Sequence, residues 1–215
     1  MAYEVKNFDS LLGTKGFSDQ LLKNHFTLYQ GYVTNTNKLA DVLSAFGKEG
    51  KTGTPEYSEL KRRFGWEWNG MRLHEYYFGN MTRGGKAIDK STNFYTKIVD
   101  DFGSYENWEE DFRAVGSMRG IGWAVLYYDG MADQLFNAWI NEHDVGHLSG
   151  ARPMLVMDAF EHAFMIDFGL KRADYIEAFF EAIDWTIDPD TDKWMFKWMR
   201  MKNETGSKKY ESSTN

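Results

Sequence analysis

The chain has 215 residues and a formal net charge of −7, with 42% hydrophobic and 17% aromatic residues. That balance supplies a buried core and argues against a non-specific nucleic-acid binder, which needs clustered Lys and Arg to meet phosphates. There is no cysteine, so disulfides, thiolate metal sites and cysteine nucleophiles are excluded, and any transition metal must be held by His and carboxylate. The first residues show no basic start followed by an apolar stretch, and no run of about 18 apolar residues follows. The expected setting is therefore the cytoplasm, with no membrane partner.

The period of apolar residues organises the chain. Leu21, Leu22, Phe26, Tyr29, Tyr32, Val33, Leu39, Val42, Leu43 and Phe46 recur at three- and four-residue spacing, which predicts a long helix over 17–46. After the Gly-rich turn 47–53, Thr54-Pro55 reads as a helix start, and Leu60, Phe64, Met71, His74 and Phe78 carry a second helix to about residue 81. Two long helices joined by a short loop form an antiparallel hairpin. Two shorter helices are predicted over 86–101 and 105–117.

Segments 122–128 and 134–140 are aromatic and β-branched around Asp129-Gly130, a strand–turn–strand signal, and Met154–Met157 after Pro153 reads as a third strand. Helices over 172–184 and 190–202 and a polar, disordered tail over 203–215 complete the reading. The fold class is α+β. A helical-hairpin domain (1–83) precedes a mixed domain (84–202) with a three-stranded antiparallel sheet and flanking helices.

Only five histidines occur: His25, His74, His143, His147 and His162. A lone His on an apolar face is ordinarily a core residue satisfied by its neighbours. His25 and His74, however, both sit on inward faces of paired helices, where a metal could be shared. Asp158-Ala-Phe-Glu-His162 directly follows the third strand. Asp158 could simply cap the next turn, yet an unpaired Asp and His buried between apolar segments would be costly. A metal would resolve that cost. The H-E-x-x-H pattern of metalloproteases is absent, since His74-Glu75 continues as Tyr-Tyr.

Met157-Asp-Ala-Phe-Glu-His-Ala-Phe164 resembles the C-terminal signature of the iron/manganese superoxide dismutases, D-V-W-E-H-A. Gly31-Tyr-Val-Thr-Asn35, Gly120-Ile-Gly-Trp123 and Asp174-Tyr-Ile-Glu-Ala-Phe-Phe…Asp-Trp185 match in the right order, so the resemblance spans roughly residues 17–187. It implies one iron or manganese ion per subunit, held by His25, His74, Asp158 and His162, with superoxide as the small anionic substrate. It implies catalytic roles in proton delivery for Tyr32 and His143. It also implies a homodimer or dimer of dimers in which Glu161 meets the partner subunit's His162. The alternatives are a metal-binding protein of this fold without activity and a helical interaction module whose histidines are only structural.

Several positions depart from the family's pattern. Tyr32 lies two helical turns after His25, one residue closer than usual. Tyr29 stands where many members carry a second His, Phe160 and Phe78 where Trp is common, and Met165 where a Tyr bonds across the dimer. Family members use a hydrogen-bond donor, often a Gln, to hold solvent at the metal, either on the second helix or in the hairpin before the last strand. The helix position here is Gly70, which has no side chain to offer. Counting back from Asp158 places His143 in the role, expected within a hydrogen bond of the coordinated solvent or of Tyr32. An alignment anchored on Asn141 would place Glu142 there instead, which an acceptor-only carboxylate disfavours. His147 reads as a loop residue. Arg172 reads either as a cation near the substrate channel or as a helix-start surface charge.

Overall fold

The helix-start signals are met one after another in the computed structural model, which describes residues 2–186. Helix α1 (Asp19–Lys48) begins after Ser18, whose side chain accepts the Leu21 N–H. Helix α2 (Pro55–Gly79) begins after Thr54, which accepts from Tyr57 N–H. Both are N-caps that satisfy a donor the first turn leaves open. Tyr29 meets Glu75 and Asn35 meets Glu67 across the pair, so α1 and α2 run antiparallel.

Helix α3 (Asn93–Phe102) starts at Asn93, later than the predicted residue 86. Lys86 N–H instead donates to Ile183 O at 2.8 Å, Asp89 accepts from the Ser91 N–H and hydroxyl, and Thr92 caps the helix. These local bonds hold the segment out of helical geometry. Gly103 ends α3 with φ +82°, which glycine adopts without Cβ strain, and α4 (Tyr105–Gly116) follows behind a Ser104 cap.

Strands β1 (Gly122–Asp129), β2 (Gln134–Asn141) and β3 (Arg152–Asp158) form one antiparallel sheet in the order β2-β1-β3. The central β1 is buried along all but its last residue. Its register places Trp123 opposite Asp158. The two outer strands are met by side chains from helical segments. Asn80, just past α2, donates to Met154 O and accepts from Val156 N–H on β3. Asp101 of α3 accepts from Leu135 N–H on β2.

After β3 the chain makes a 3₁₀ turn (Glu161–Ala163), the one-turn helix α5 (Met165–Phe168) and helix α6 (Arg172–Ala182). Helix α6 stops short of the predicted residue 184 because Ile183 and Asp184 form bridges to Met81 and Lys86. The predicted helix 190–202 and tail 203–215 lie outside the described residues. Among the described residues, no helix is long and apolar enough to cross a membrane.

Candidate metal centre

His25 of α1, His74 of α2, Asp158 at the end of β3 and His162 of the following turn come together in one cluster. One potential ligand atom from each lies within 4.8 Å of the others. The three ring Nε2 atoms converge on a single oxygen, Asp158 Oδ2, at 3.1 Å for His25, 3.7 Å for His74 and 3.0 Å for His162. The other carboxylate oxygen accepts the Phe160 N–H at 2.8 Å, which fixes its plane. His25, His74 and Asp158 are buried, while the His162 side chain keeps 29% of its surface exposed.

The protonation states suit a metal. Burial pushes the His25 imidazole down against the pull of Asp158, and burial together with the nearby His25 pushes His74 well down. Both rings are neutral at pH 7, so the short contacts to Asp158 are not ion pairs of protonated rings. Burial opposes ionisation of Asp158, but the His162 and His25 rings outweigh it and hold the carboxyl below its usual range.

His74 decides the fit. Its Nδ1 lies 2.6 Å from the Gly70 carbonyl, so that nitrogen carries the proton and Nε2 presents a lone pair. This Nε2 is one of three buried side-chain polar atoms without a hydrogen-bond partner among the described residues; His25 Nδ1 is another. A lone pair aimed at a carboxylate oxygen is repulsive unless a cation lies between them. Three imidazoles and one carboxylate are a borderline donor set that suits iron, manganese or zinc.

Tyr32 Oη lies 2.7 Å from His143 Nε2, one of the two contacts expected for His143. Burial, reinforced by the charge of Asp158, pushes the Tyr32 phenol above its ordinary range, and burial pushes His143 down to about 4. Both groups are neutral at pH 7.

Known proteins are similar to this chain in sequence. The family described as "Iron/manganese superoxide dismutases, C-terminal domain" matches residues 90–188. Manganese superoxide dismutase 2 of Haloferax volcanii is 36% identical over 190 residues, covering 86% of this chain and 92% of that protein. The iron superoxide dismutase of Aquifex pyrophilus is 35% identical over 178 residues, covering 80% and 83%. The chain belongs to the iron/manganese superoxide dismutases.

The departures from the family's pattern now have places in this dismutase-family chain. Tyr29 donates to Glu75 Oε1 at 3.0 Å and accepts the Lys6 N–H at 3.1 Å, which ties the N-terminal segment to the hairpin. Phe78 packs edge-on to His25. Phe160 stacks on both His143 and His162, at 4.7 and 5.1 Å between ring centroids. Met165 is exposed. At Gly70 a Cβ would lie 2.6 Å from Tyr32 Cδ1, so the tyrosine ring itself fills the space a side chain there would need. Glu142 turns away from the cluster, and its carboxylate accepts from Trp66 Nε1 at 3.2 Å.

Arg172 fits neither of its expected descriptions fully. It clamps three carbonyls, donating to Met118 O at 2.5 Å, Gly120 O at 2.8 Å and Ala159 O at 2.7 Å. It also lines an open depression of about 500 Å³ with Arg119 and Glu161.

Three further residues support the site; Trp123 and Tyr175 were not singled out from the sequence, and His147 was read there as a loop residue. Trp123 donates from Nε1 to His143 Nδ1 at 3.1 Å. Tyr175 donates to the Asp158 carbonyl at 2.6 Å. His147, read as a loop residue, bridges the Tyr127 hydroxyl (2.7 Å from Nδ1) and the His143 carbonyl (2.9 Å from Nε2). The motifs Gly120–Trp123 and Asp174–Trp185 contained Trp123 and Tyr175, but motif matching says nothing of what a side chain touches.

Proposed function

We propose that His25, His74, Asp158 and His162 hold the ion of this superoxide dismutase and that Tyr32 and His143 handle its protons. The reaction is the conversion of superoxide to dioxygen and hydrogen peroxide, with one iron or manganese ion per chain. The observation that carries the ligand assignment is the unpartnered His74 Nε2, aimed with two other imidazole nitrogens at one carboxylate oxygen inside a buried aromatic shell.

When bound, iron or manganese supplies a one-electron couple between its +2 and +3 states. Three neutral imidazoles and one carboxylate leave the centre net positive, which favours an anionic substrate. Tyr32 Oη keeps its proton at neutral pH, so it can hold a bond to a reduced dioxygen species and pass a proton to it. His143 Nε2, 2.7 Å from Tyr32 Oη, lies on the route by which that proton is replaced. In a chain of net charge −7, Arg119 and Arg172 outweigh the single carboxylate of Glu161 around one depression, and the net positive field there draws anions.

A homodimer belongs to the same proposal. The exposed apolar side chains Met165, Ile166 and Leu170 follow Glu161 closely in the chain, and the partly exposed His162 ring leaves room for a partner's carboxylate. Sedimentation at micromolar concentration tests it, and a monomer would refute it. Cytoplasmic location is part of the reading too, since a cysteine-free chain needs no oxidising compartment; cell fractionation checks it.

The decisive experiment reconstitutes the protein with iron and manganese in turn and measures metal content and superoxide dismutation on the same preparation. Stoichiometric metal with dismutation in at least one form is expected. Stoichiometric metal with no dismutation in either would leave a metal-binding protein of this fold and overturn the activity.

A further inference from the structure

The His143 ring is held at both nitrogens by groups of different capability. Trp123 Nε1 lies 3.1 Å from Nδ1, and Tyr32 Oη lies 2.7 Å from Nε2. An indole N–H only donates, whereas a phenol hydroxyl donates or accepts. Nδ1 must therefore be the acceptor toward Trp123 and carries no proton. In a neutral imidazole the proton then sits on Nε2, which donates it to Tyr32 Oη. Tyr32, having received that bond, keeps its own O–H to give elsewhere.

The opposite tautomer would set Nδ1–H against the indole N–H, donor facing donor. It would also turn a lone pair toward Tyr32 and consume the phenol proton in the bond to His143. A glutamine in this place would carry its donor and acceptor on fixed atoms, whereas a histidine has two interchangeable forms and needs something to choose between them. We propose that Trp123 is a positioning residue that selects the Nε2–H tautomer of His143 and so leaves the Tyr32 hydroxyl proton available to the substrate.

The surroundings hold the ring in the orientation this requires. Trp123 and His143 are both fully buried. Phe160 stacks on the imidazole at 4.7 Å with an interplanar angle of 21°, and Trp66 meets it edge-on at 4.4 Å. His147 ties the His143 carbonyl to Tyr127. Trp123 and Tyr127 are four residues apart on β1 and share a sheet face by its two-residue period. One strand thus fixes both the ring and the backbone of His143. Only the use made of the Tyr32 proton rests on the dismutase reading; the tautomer stands apart from it.

The test uses the full chain with ¹⁵N-labelled histidine, loaded with zinc(II), which accepts His and carboxylate ligands and is diamagnetic. Two-bond ¹H–¹⁵N correlation spectra then report each ring, and His143→Gln assigns the His143 signals. The wild type should show an unprotonated Nδ1 and a protonated Nε2. Trp123→Phe removes the donor and keeps most of the ring, so the preference should fall roughly tenfold, as expected for one lost hydrogen bond, and Nδ1–H signals should appear. Tyr32→Phe should leave the wild-type tautomer in place.

A protonated Nδ1 in the wild type, an unchanged spectrum in Trp123→Phe, or a tautomer switch in Tyr32→Phe alone would each overturn the proposal. If Trp123→Phe does not fold, the wild-type and Tyr32→Phe spectra still decide it. The predicted spectra in a protein that fails to dismutate superoxide would uphold the tautomer selection while refuting the activity.

Discussion

Replacing Gly70 by Ala sets two ordinary effects against each other. In the middle of α2, Ala should stabilise the helix by about 0.5–1 kcal/mol relative to Gly. Here the new Cβ would lie 2.6 Å from Tyr32 Cδ1, 2.7 Å from Cε1 and 3.2 Å from Cγ. Carbon atoms rest about 3.5–4.0 Å apart, so the ring must withdraw by roughly 1 Å. It has little room to do so, because Trp66, His74 and His143 surround it with ring centroids 5.6, 5.1 and 4.9 Å away.

Withdrawal would stretch the 2.7 Å contact with His143 beyond hydrogen-bond range. Overpacking costs about 1–3 kcal/mol and a lost buried hydrogen bond about 1–3 kcal/mol. Gly70→Ala should therefore be destabilised by about 2–3 kcal/mol after the helix gain, with metal retained and dismutation slowed. Denaturant unfolding, metal analysis and rate on one preparation measure all three. In a Tyr32→Ala background the same substitution should instead stabilise by the helix gain of about 0.5–1 kcal/mol, giving a coupling energy of about 2.5–4 kcal/mol. A Gly70→Ala protein as stable and as active as wild type would refute the reasoning.

His162→Ala should lose most of the roughly one iron or manganese per chain that a four-ligand site holds, and elemental analysis showing full loading would sink the ligand set. His143, depressed to about 4 in the folded chain against about 6.5 when unfolded, binds fewer protons folded than unfolded across that window. It therefore costs the fold stability as pH falls through it, so the stability of wild type relative to His143→Gln should drop by about 3 kcal/mol between pH 7 and 4; a pH-independent difference would count against it. Arg172→Met should lower stability by about 2 kcal/mol through three abandoned carbonyls, with Arg172→Lys restoring only part because one ammonium lacks the guanidinium's fork. Unchanged melting temperatures in both would show the clamp to be idle.

The pairs His25/His74 and Asp158/His162 were each legible from places the pattern could locate, and the resemblance to the dismutases joined them into one ligand set. Two stand on the inward faces of a periodic hairpin, and two follow directly after an apolar strand. The hairpin and strands were legible for the same reason. The start of α3 was not, because Asp89, Ser91 and Thr92 divert the backbone before Asn93, and those bonds outweigh helical periodicity. The end of α6 was missed because Ile183 and Asp184 pair with Met81 and Lys86, about a hundred residues away in the chain. Trp123, Tyr175 and Arg172 act through carbonyls and ring nitrogens brought near by the fold. A one-dimensional pattern gives a residue's face but not its partner. Gly70 was read as a missing donor; only the structure shows that Tyr32 occupies its space.

The side chains along the outer strands bear on solubility. A three-stranded sheet leaves two strands with unpaired backbone groups, a ready template for edge-to-edge aggregation. On β3, Asn80 already occupies the Met154 carbonyl and the Val156 N–H, and on β2 Asp101 occupies the Leu135 N–H. An incoming strand would have to displace these side chains before it could add a ladder. Two residues outside the sheet thus act as gatekeepers. Asn80→Ala or Asp101→Ala is expected to promote fibrillar or amorphous association under mild heating, even where the folded protein's activity is unchanged.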